Sequence, residues 1–379
     1  MSSTSGPGPR SSAPPDAKLL VPRAQAPFLR YGTFPLTDST LADLGWSAPF
    51  SRQLDPETDA EATPARIAEV MRDHVLALTT GGPVPLITPD STGLYVVGDW
   101  VLQDGIRVLR RLDRQTEIAR RAAGPAAARQ LIAANVDTLA IVTSCNADFN
   151  VARIERYLAM ATQAGCLPLV ILTKADQSDD PGSYGKTAAR LSPLLTALTL
   201  DARLPEEAAR LAPWCGPGQT LALVGSSGVG KTTLQNHLTG ITALTQDIRE
   251  DDAKGRHTTT ARALRPTLAG GWLIDTPGMR ELALSDASEG IHAVFSDVTD
   301  LIDQCRFSDC AHESEPGCAV QQAIAEGALD AGRLDRWRKL MREDQFNTES
   351  VAEARARFRK LGKMHKSGKV RGKSKRGER

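Results

Sequence analysis

A loop that could hold the phosphates of a nucleotide is the clearest candidate site in the sequence. The pattern G-x-x-x-x-G-K-[ST] is matched by Gly225, Ser226, Ser227, Gly228, Val229, Gly230, Lys231 and Thr232. It lies between an apolar run and a helical pattern that opens at Thr233, so backbone N–H groups and the helix start can face phosphate oxygens. Lys231 is expected to bridge the β- and γ-phosphates, and the Thr232 hydroxyl to bind Mg²⁺. The alternative, a glycine-rich turn with a chance Lys-Thr pair, would make two downstream motifs accidents as well.

Those two downstream motifs are typical of loops that sense a γ-phosphate. The run D-T-P-G at residues 275–278 follows an apolar strand, which predicts that Asp275 lies near the metal and the Gly278 N–H near the γ-phosphate. Thr259, in the polar loop 255–260, is predicted to complete the coordination of Mg²⁺. A Thr-rich loop standing alone would be an ordinary turn, so this prediction depends on the other motifs.

A motif that could select guanine comes before the phosphate loop. It consists of Thr173, Lys174, Ala175 and Asp176, which follow an apolar strand and resemble the N/T-K-x-D motif of GTPases. Asp176 can accept hydrogen bonds from N1–H and the exocyclic amine of guanine, a pair of donors that adenine does not offer. Thr173 replaces the more usual Asn, which leaves the contact to the other edge of the base open. Ala197 is predicted to meet guanine O6 through its backbone, and an ordinary surface Lys-x-Asp loop is the alternative.

The order of these motifs differs from that of ordinary GTPases, in which the phosphate loop comes first. Here Asp176 precedes Lys231, and the two γ-phosphate loops follow. The sequence therefore predicts a circularly permuted GTPase domain. Such a permutation is tolerated because domain termini often lie close together and the site is built from loops that converge in space.

A cluster of three cysteines and one histidine has the composition of a structural zinc site. Its members are Cys305, Cys310, His312 and Cys318. Three thiolates and an imidazole suit tetrahedral Zn²⁺, and four protein ligands leave no open position for chemistry, so one structural zinc is predicted. Six cysteines in 379 residues are too few for a disulfide framework, which favours a reducing compartment. Unrelated cysteines are the alternative, and the scarcity of Cys and His elsewhere counts against it.

The hydrophobic patterns predict a multi-domain protein with a central α/β domain. A Ser-, Pro- and Gly-rich disordered arm at 1–36 is followed by short alternating strands at 37–128, which predict a small antiparallel β-barrel. Apolar runs that alternate with helical patterns predict a parallel sheet covered by helices at 129–284. Short helices are predicted around the Cys/His cluster at 285–350, followed by a basic tail at 351–379.

Charge is uneven along a chain that is almost neutral overall. Lys and Arg number 46 against 45 Asp and Glu, a net charge of +1, so the total says nothing about nucleic acid. The tail from Arg355 onward, however, is dense in Lys and Arg, has Glu378 as its single acid, and could bind phosphate backbones. A solubilising tail is the alternative. No apolar run is long enough to cross a bilayer, so the sequence predicts a cytoplasmic protein without a membrane partner.

Taken together, the motifs resemble those of the ribosome small-subunit-dependent GTPase A family, whose members are circularly permuted GTPases. The resemblance also includes Gly98-Asp99-Trp100-Val101, the run A-A-N-V-D at 133–137, and the Cys/His spacing. It implies that the N-terminal β unit is an OB-fold and that the partner is the 30S subunit with its 16S rRNA. It also implies that the protein, expected to be a monomer, hydrolyses GTP to GDP and phosphate in late maturation of that subunit, with stimulation by the particle.

One replacement leaves two functions open. Met279 stands where many GTPases carry a Gln that orients the attacking water, and methionine cannot do so. The resemblance implies that His257 replaces that Gln, acting with Lys231 and Thr259. A histidine without a role on a solvated loop is the alternative. The competing function is a non-catalytic RNA-binding module whose shape depends on the bound nucleotide, and turnover with and without 30S subunits separates the two.

Overall fold

The computed structural model describes residues 39–121, 129–193, 195–241, 262–275, 284 and 286–348. The chain divides into two units, 1–34 and 35–379, and every described residue belongs to the second. The strands are β1 (Thr63–Val70), β2 (Val75–Thr79), β3 (Gly82–Leu86), β4 (Trp100–Gln103), β5 (Val108–Arg111), β6 (Glu117–Arg121), β7 (Arg129–Ala134), β8 (Thr138–Ser144), β9 (Leu167–Thr173), β10 (Thr196–Thr199), β11 (Thr220–Val224), β12 (Ala263–Pro266) and β13 (Trp272–Asp275). The helices are α1 (Ala48–Ser51), α2 (Val151–Gln163), α3 (Pro181–Ala189), α4 (Pro205–Ala209), α5 (Lys231–Thr239), α6 (Ser288–Val294), α7 (Ser296–Ile302), α8 (Ala319–Ala325) and α9 (Ala331–Thr348). Within these ranges, no helix is both long and apolar enough to span a bilayer.

A parallel sheet follows the first strands, with the order β10-β9-β8-β11-β13. Every residue of β8 and of β11 is buried. Their unbroken apolar runs predict this burial, because both faces of such strands are covered. On one face, Leu234 and Leu238 of α5 pack against Leu223 and Leu273 of the sheet. The predicted parallel sheet is confirmed.

The strands β1 to β5 form an antiparallel unit before that sheet. β1 pairs with β2 and with β4, β2 pairs with β3, and β4 pairs with β5. A parallel bridge between Ile87 and Arg107 joins the end of β3 to the approach to β5, so the path of pairings closes on itself. Ala65, Ile67 and Val101 are buried in its core. The antiparallel pairing predicted from the short alternating runs is therefore present.

This antiparallel unit is continuous with the parallel sheet, which the sequence does not predict. β12 pairs antiparallel with β13 on one side and with β1 on the other. At the same junction, Arg66 of β1 is buried and donates to Leu44 O (2.7 Å), Asn135 O (2.9 Å) and Thr220 Oγ1 (2.8 Å). Burial lowers the pKa of Arg66 to about 10, which leaves its guanidinium charged at neutral pH. One buried cation thus joins β1 to β11 and to the residues around α1.

The residues that precede β1 pack onto this junction. Trp46 and Phe50 lie against Trp100 of β4, with ring centroids 4.9 Å and 5.8 Å from that of Trp100. Trp272 of β13 donates from Nε1 to the carbonyl oxygen of Asp43 (2.7 Å). Aromatic side chains bury large apolar areas, so this short segment stabilises both the antiparallel strands β1 to β5 and the parallel sheet.

The helices α6 to α9 follow the parallel sheet, and α6 packs closely on α2. Gly290 of α6 marks the closest approach, because a Cβ at that position would lie 2.1 Å from the carbonyl oxygen of Ala159. Its N–H donates to Gln163 Oε1 (2.9 Å). Only glycine permits two helix backbones to come this near.

Candidate nucleotide site and metal centre

The predicted phosphate loop joins β11 to α5, the strand-to-helix turn that its motif requires. Gly225 has φ +140°, and a Cβ on it would lie 2.0 Å from the carbonyl oxygen of Val142, so only glycine fits there. Lys231, the first residue of α5, reaches back over the loop, and its Nζ donates to the carbonyl oxygens of Gly225 (2.8 Å) and Ser226. The loop therefore holds a positive charge beside the start of a helix, an arrangement that suits a bound anion.

The predicted base motif lies directly beside the phosphate loop. Thr173 ends β9 and is buried, and its Oγ1 donates to the carbonyl oxygen of Val229 (2.7 Å). Lys174 has a left-handed backbone (φ +55°), which turns the chain sharply after the strand. Asp176 follows in the short 3-10 turn Ala175–Gln177. Although the two motifs are far apart in sequence, a hydroxyl of one is hydrogen-bonded to the backbone of the other.

The residue expected to make the third base contact lies inside a strand. Ala197 lies within β10, where it pairs with β9. The loop after β10 is the part that reaches the site: a Cβ on Gly230 would lie 3.5 Å from Ala202 Cβ, and Leu200 O accepts from the Ala175 N–H (3.4 Å). Sequence analysis did not single out this loop, because it assigned the contact to Ala197. The end of the apolar run, followed by Asp and Ala, is the feature that could have revealed it.

The loop after β10 also contains an arginine that sequence analysis does not single out. Arg203 Nη2 lies 2.8 Å from Asp176 Oδ2 and 2.7 Å from Asp201 Oδ2, and Arg203 Nε lies 3.0 Å from Asp201 Oδ1. The hydrogen bonds from Arg203 lower the pKa of Asp201. One guanidinium therefore joins the predicted base-reading carboxylate to a second carboxylate.

The residues predicted to bind magnesium converge on one edge of the sheet as far as they are described. Asp275 is the last residue of β13, which runs parallel to β11. Because the carboxyl ends of parallel strands meet at the same edge, the backbone of Asp275 lies at the edge from which the phosphate loop leaves. Thr232 and Thr233 belong to the first turn of α5 at that edge. His257, Thr259, Gly278 and Met279 lie outside the described residues.

A second cation near the phosphate loop comes from α2. Asn150 caps this helix by accepting from the Arg153 N–H (3.0 Å). The Arg153 guanidinium is paired with Asp148 (3.0 Å), and its Nη1 also donates to Ser226 Oγ in the phosphate loop. The sequence gives little indication of this contact, because an Arg in the first turn of a helix is usually an exposed residue. The first turn of α2 therefore supports the phosphate loop.

The four residues of the Cys/His cluster come together in the structure. Their ligand atoms, one each from Cys305, Cys310, His312 and Cys318, all lie within 4.8 Å of one another. His312 Nδ1 lies 3.5 Å from Cys305 Sγ and 3.6 Å from Cys318 Sγ. Cys305 follows α7 and Cys318 precedes α8, so the connection between these helices folds back to form the cluster. Three thiols and one imidazole at this spacing fit a single tetrahedral metal ion.

The surroundings of His312 favour its role as a ligand. Its backbone is left-handed (φ +59°), and its carbonyl oxygen accepts from Arg338 Nη2 (2.8 Å) and Gln321 Nε2 (2.6 Å). Burial and the positive charge of Arg338 lower the pKa of His312, which favours the neutral imidazole that a metal requires. By contrast, burial raises the pKa of Cys166 to about 12, so this thiol outside the cluster is inert.

Curated relatives cover most of the chain. The family model described as RsgA GTPase matches residues 111–285. The small ribosomal subunit biogenesis GTPase RsgA of Mesorhizobium japonicum is 54% identical over 317 residues, which are 82% of this chain and 91% of that protein. The small ribosomal subunit biogenesis GTPase RsgA 2 of Vibrio parahaemolyticus is 46% identical over 330 residues, 86% of this chain and 92% of that protein.

Solved structures share the fold at lower identity. YjeQ from Thermotoga maritima has a TM-score of 0.55 and 21% identity, over 74% of this chain and 98% of that one. YloQ, whose structure is described as that of a circularly permuted GTPase, has a TM-score of 0.55 and 20% identity, over 78% of this chain and 99% of that one. The predicted circular permutation is confirmed. The motif order, the joined base and phosphate loops and the two RsgA relatives agree, and the chain belongs to the RsgA GTPase family.

Proposed function

We propose that this protein hydrolyses GTP to GDP and phosphate and acts in late maturation of the small (30S) ribosomal subunit, in the cytoplasm. Its relatives are named small ribosomal subunit biogenesis GTPases. The observation on which the proposal depends is the hydrogen bond that joins the base loop to the phosphate loop, from Thr173 Oγ1 to Val229 O (2.7 Å). Because Asp176 follows Thr173 and Lys231 follows Val229 closely in sequence, one nucleotide can meet both residues.

In the proposed phosphate site, the backbone N–H groups, the Lys231 ammonium group and Mg²⁺ have separate roles. We assign the backbone of residues 225–233 to the phosphate oxygens and Lys231 to the β- and γ-phosphates, because the Nζ already lies over the loop. Thr232, Thr259 and Asp275 would hold Mg²⁺, whose hard-oxygen preference they satisfy. When bound, this ion supplies neutralisation of the charge that develops during phosphoryl transfer. The Gly278 N–H would meet the γ-phosphate.

The base and the attacking water are assigned to separate residues. Asp176 reads the N1–H and the amine of guanine, while Thr173 is assigned to joining the two loops, since its hydroxyl is engaged by the phosphate-loop backbone. His257 is proposed to orient the water, because Met279 has no group that could do so. Lys231 and Thr259 complete the proposed catalytic set.

The proposed contacts with 16S rRNA involve the N-terminal β unit and the basic tail. We infer that the N-terminal β unit, within residues 37–128, is an OB-fold, supported by its order β3-β2-β1-β4-β5 and by the parallel bridge between Ile87 and Arg107. OB-folds commonly bind nucleic acid on one face. The basic tail at 351–379 would add salt-sensitive contacts to phosphates.

Hydrolysis measured with purified 30S subunits tests the proposal. Wild-type protein is expected to turn over GTP faster with subunits than without them, and to leave ATP largely unhydrolysed in both cases. GTP and ATP turned over alike would contradict the assignment of Asp176. No turnover of either nucleotide would instead favour the non-catalytic RNA-binding module, which the absence of a water-orienting Gln at Met279 keeps in consideration.

The metal of the Cys/His cluster is proposed to be a single structural zinc. Elemental analysis of the purified chain is expected to find about one zinc per molecule, because three thiolates and one imidazole are a typical structural zinc set. Replacement of Cys310 by Ser should lower the zinc content well below one and destabilise the helices α7 and α8, which the cluster joins. Cys145→Ser, which removes a thiol outside the cluster, serves as the control and should retain the metal. Equal zinc contents in the two variants would contradict the assignment.

A further inference from the structure

Arg203 bridges two carboxylates that belong to different loops of the proposed base site. Its Nη2 lies 2.8 Å from Asp176 Oδ2 and 2.7 Å from Asp201 Oδ2. Because both oxygens lie within hydrogen-bond distance of one nitrogen, the two carboxylates are direct neighbours. Two neighbouring carboxylates repel each other unless a cation lies between them, and here Arg203 is that cation.

Arg203 is itself fixed by Asp201. The guanidinium binds Asp201 through both Nε and Nη2, and the Arg203 N–H donates to Asp201 Oδ1 (3.0 Å). The Asp201 side chain is 14% exposed, compared with 66% for that of Arg203. A planar guanidinium that pairs with both oxygens of a carboxylate has little freedom to rotate. The position of Nη2 beside Asp176 is therefore set by the loop after β10, which also contacts the base loop through Leu200 and Ala175.

The bridge leaves Asp176 able to bind a base. A carboxylate has about four lone-pair positions, and Arg203 uses one of them at Oδ2. The N1–H and the 2-amine of guanine require two more. The arginine and the base can thus bind the same carboxylate together, one fixing its orientation and the other being recognised by it.

We propose that Arg203 is a positioning residue for base recognition, which holds the carboxylate of Asp176 in the orientation that accepts both donors of guanine. The inference rests on the proposed function, in which Asp176 reads the base. It differs from that function in assigning part of the guanine preference to a residue that contacts neither the phosphates nor the reacting atoms. Arg203 should therefore increase the affinity for guanine nucleotides more than the affinity for hypoxanthine nucleotides, because hypoxanthine keeps N1–H but lacks the 2-amine.

Nucleotide titrations with GDP and IDP test the proposal on the full-length protein. Arg203→Ala is expected to weaken GDP binding about twofold to fivefold, the range for a charge pair at a partly exposed site, and to weaken IDP binding less, so that the preference for GDP over IDP falls. Arg203→Lys keeps the positive charge but lacks the planar guanidinium that binds two oxygens of a carboxylate. Its affinity for GDP should lie between those of wild type and Arg203→Ala. Adding Asp201→Asn to Arg203→Ala should recover part of the GDP affinity, because the uncompensated repulsion is removed.

Arg210 provides a matched control. It is an exposed arginine of the same region, paired with Glu207 at 2.6 Å, and Arg210→Ala should leave both affinities unchanged. If Arg203→Ala binds GDP as tightly as wild type or more tightly, or if it weakens GDP and IDP equally, the proposal is overturned. Tighter binding would mean that Arg203 competes with the base for Asp176.

A second variant separates this inference from the function on which it rests. The Asp176→Asn protein should bind XDP more tightly than GDP, whereas wild type prefers GDP, because the amide can donate to the 2-oxygen of xanthine. If Asp176→Asn does not change the base preference, the assignment of Asp176 fails and the role of Arg203 fails with it. If Asp176→Asn exchanges the preference while Arg203→Ala leaves the ratio of GDP to IDP affinity unchanged, only the role of Arg203 fails.

Discussion

Replacing Lys231 by Ala is expected to slow GTP hydrolysis in the presence of 30S subunits by about 10²–10³-fold, the usual cost of removing one donor aimed at charge that develops in a transition state. The Lys231 Nζ donates to the carbonyl oxygens of Gly225 (2.8 Å) and Ser226, so its charge lies over the loop rather than in solvent. The shorter side chain of Ala cannot reach that position, and the remaining backbone N–H groups do not replace a full charge. Steady-state phosphate release over a range of GTP concentrations gives kcat and KM separately.

Lys186→Ala is the matched control for the loss of a lysine. Lys186 lies in the last turn of α3 and is exposed. This variant should hydrolyse GTP at the wild-type rate, and both variants should show the same thermal unfolding midpoint as wild type within a few degrees. A Lys231→Ala protein that keeps more than about a third of the stimulated rate would contradict the assignment of Lys231 to the transition state.

The parts of the site that could be predicted from sequence are those fixed by local chemistry. The phosphate loop required glycine at Gly225 because the backbone of β8 passes close to it, and the glycine is visible in the motif. The strands β8 and β11 were predictable because buried strands need unbroken apolar runs. The Cys/His cluster was predictable because its four ligands lie close together in the sequence.

The parts that could not be predicted depend on contacts between distant segments. The alternating pattern of β1 predicts that Arg66 faces solvent. In the structure it is buried and donates hydrogen bonds to residues before β1, before β8 and in β11. Ala197 and Ala202 both belong to a short, weakly apolar stretch, and the pairing of β10 with β9 places the end of the strand between them, at Thr199. In each case the partner, not the residue type, decides the role.

The contact between α2 and the C-terminal helices is a further case, and it concerns a charge in the core. Glu155 of α2 is completely buried, although its neighbours at helical spacing predict an ordinary amphipathic helix. It accepts from Arg333 Nη1 (2.6 Å) and from Arg336 Nε (2.8 Å), both of α9. Arg333 also pairs with Asp297 (3.0 Å) and lies over the ring of Phe295, 4.0 Å from its centroid. One buried carboxylate therefore joins α2, whose first turn contacts the phosphate loop, to the last helix of the described chain.

Replacement of Glu155 by Gln should consequently destabilise the protein by about 1.5–3 kcal/mol, because it removes the buried negative charge that Arg333 and Arg336 share, while Asp297 still pairs with Arg333. Gln has nearly the same size as Glu, so the loss reports charge rather than a cavity. Glu343→Gln is the control: Glu343 pairs with Arg156 across the same two helices, but both side chains are partly exposed, and its loss should cost less than about 1 kcal/mol. Urea unfolding followed by circular dichroism gives both values. Similar unfolding midpoints for the two variants would mean that solvent reaches the Glu155 cluster. A clearly lower midpoint for Glu155→Gln would mean that one buried carboxylate provides most of the stabilising contact between α2 and α9.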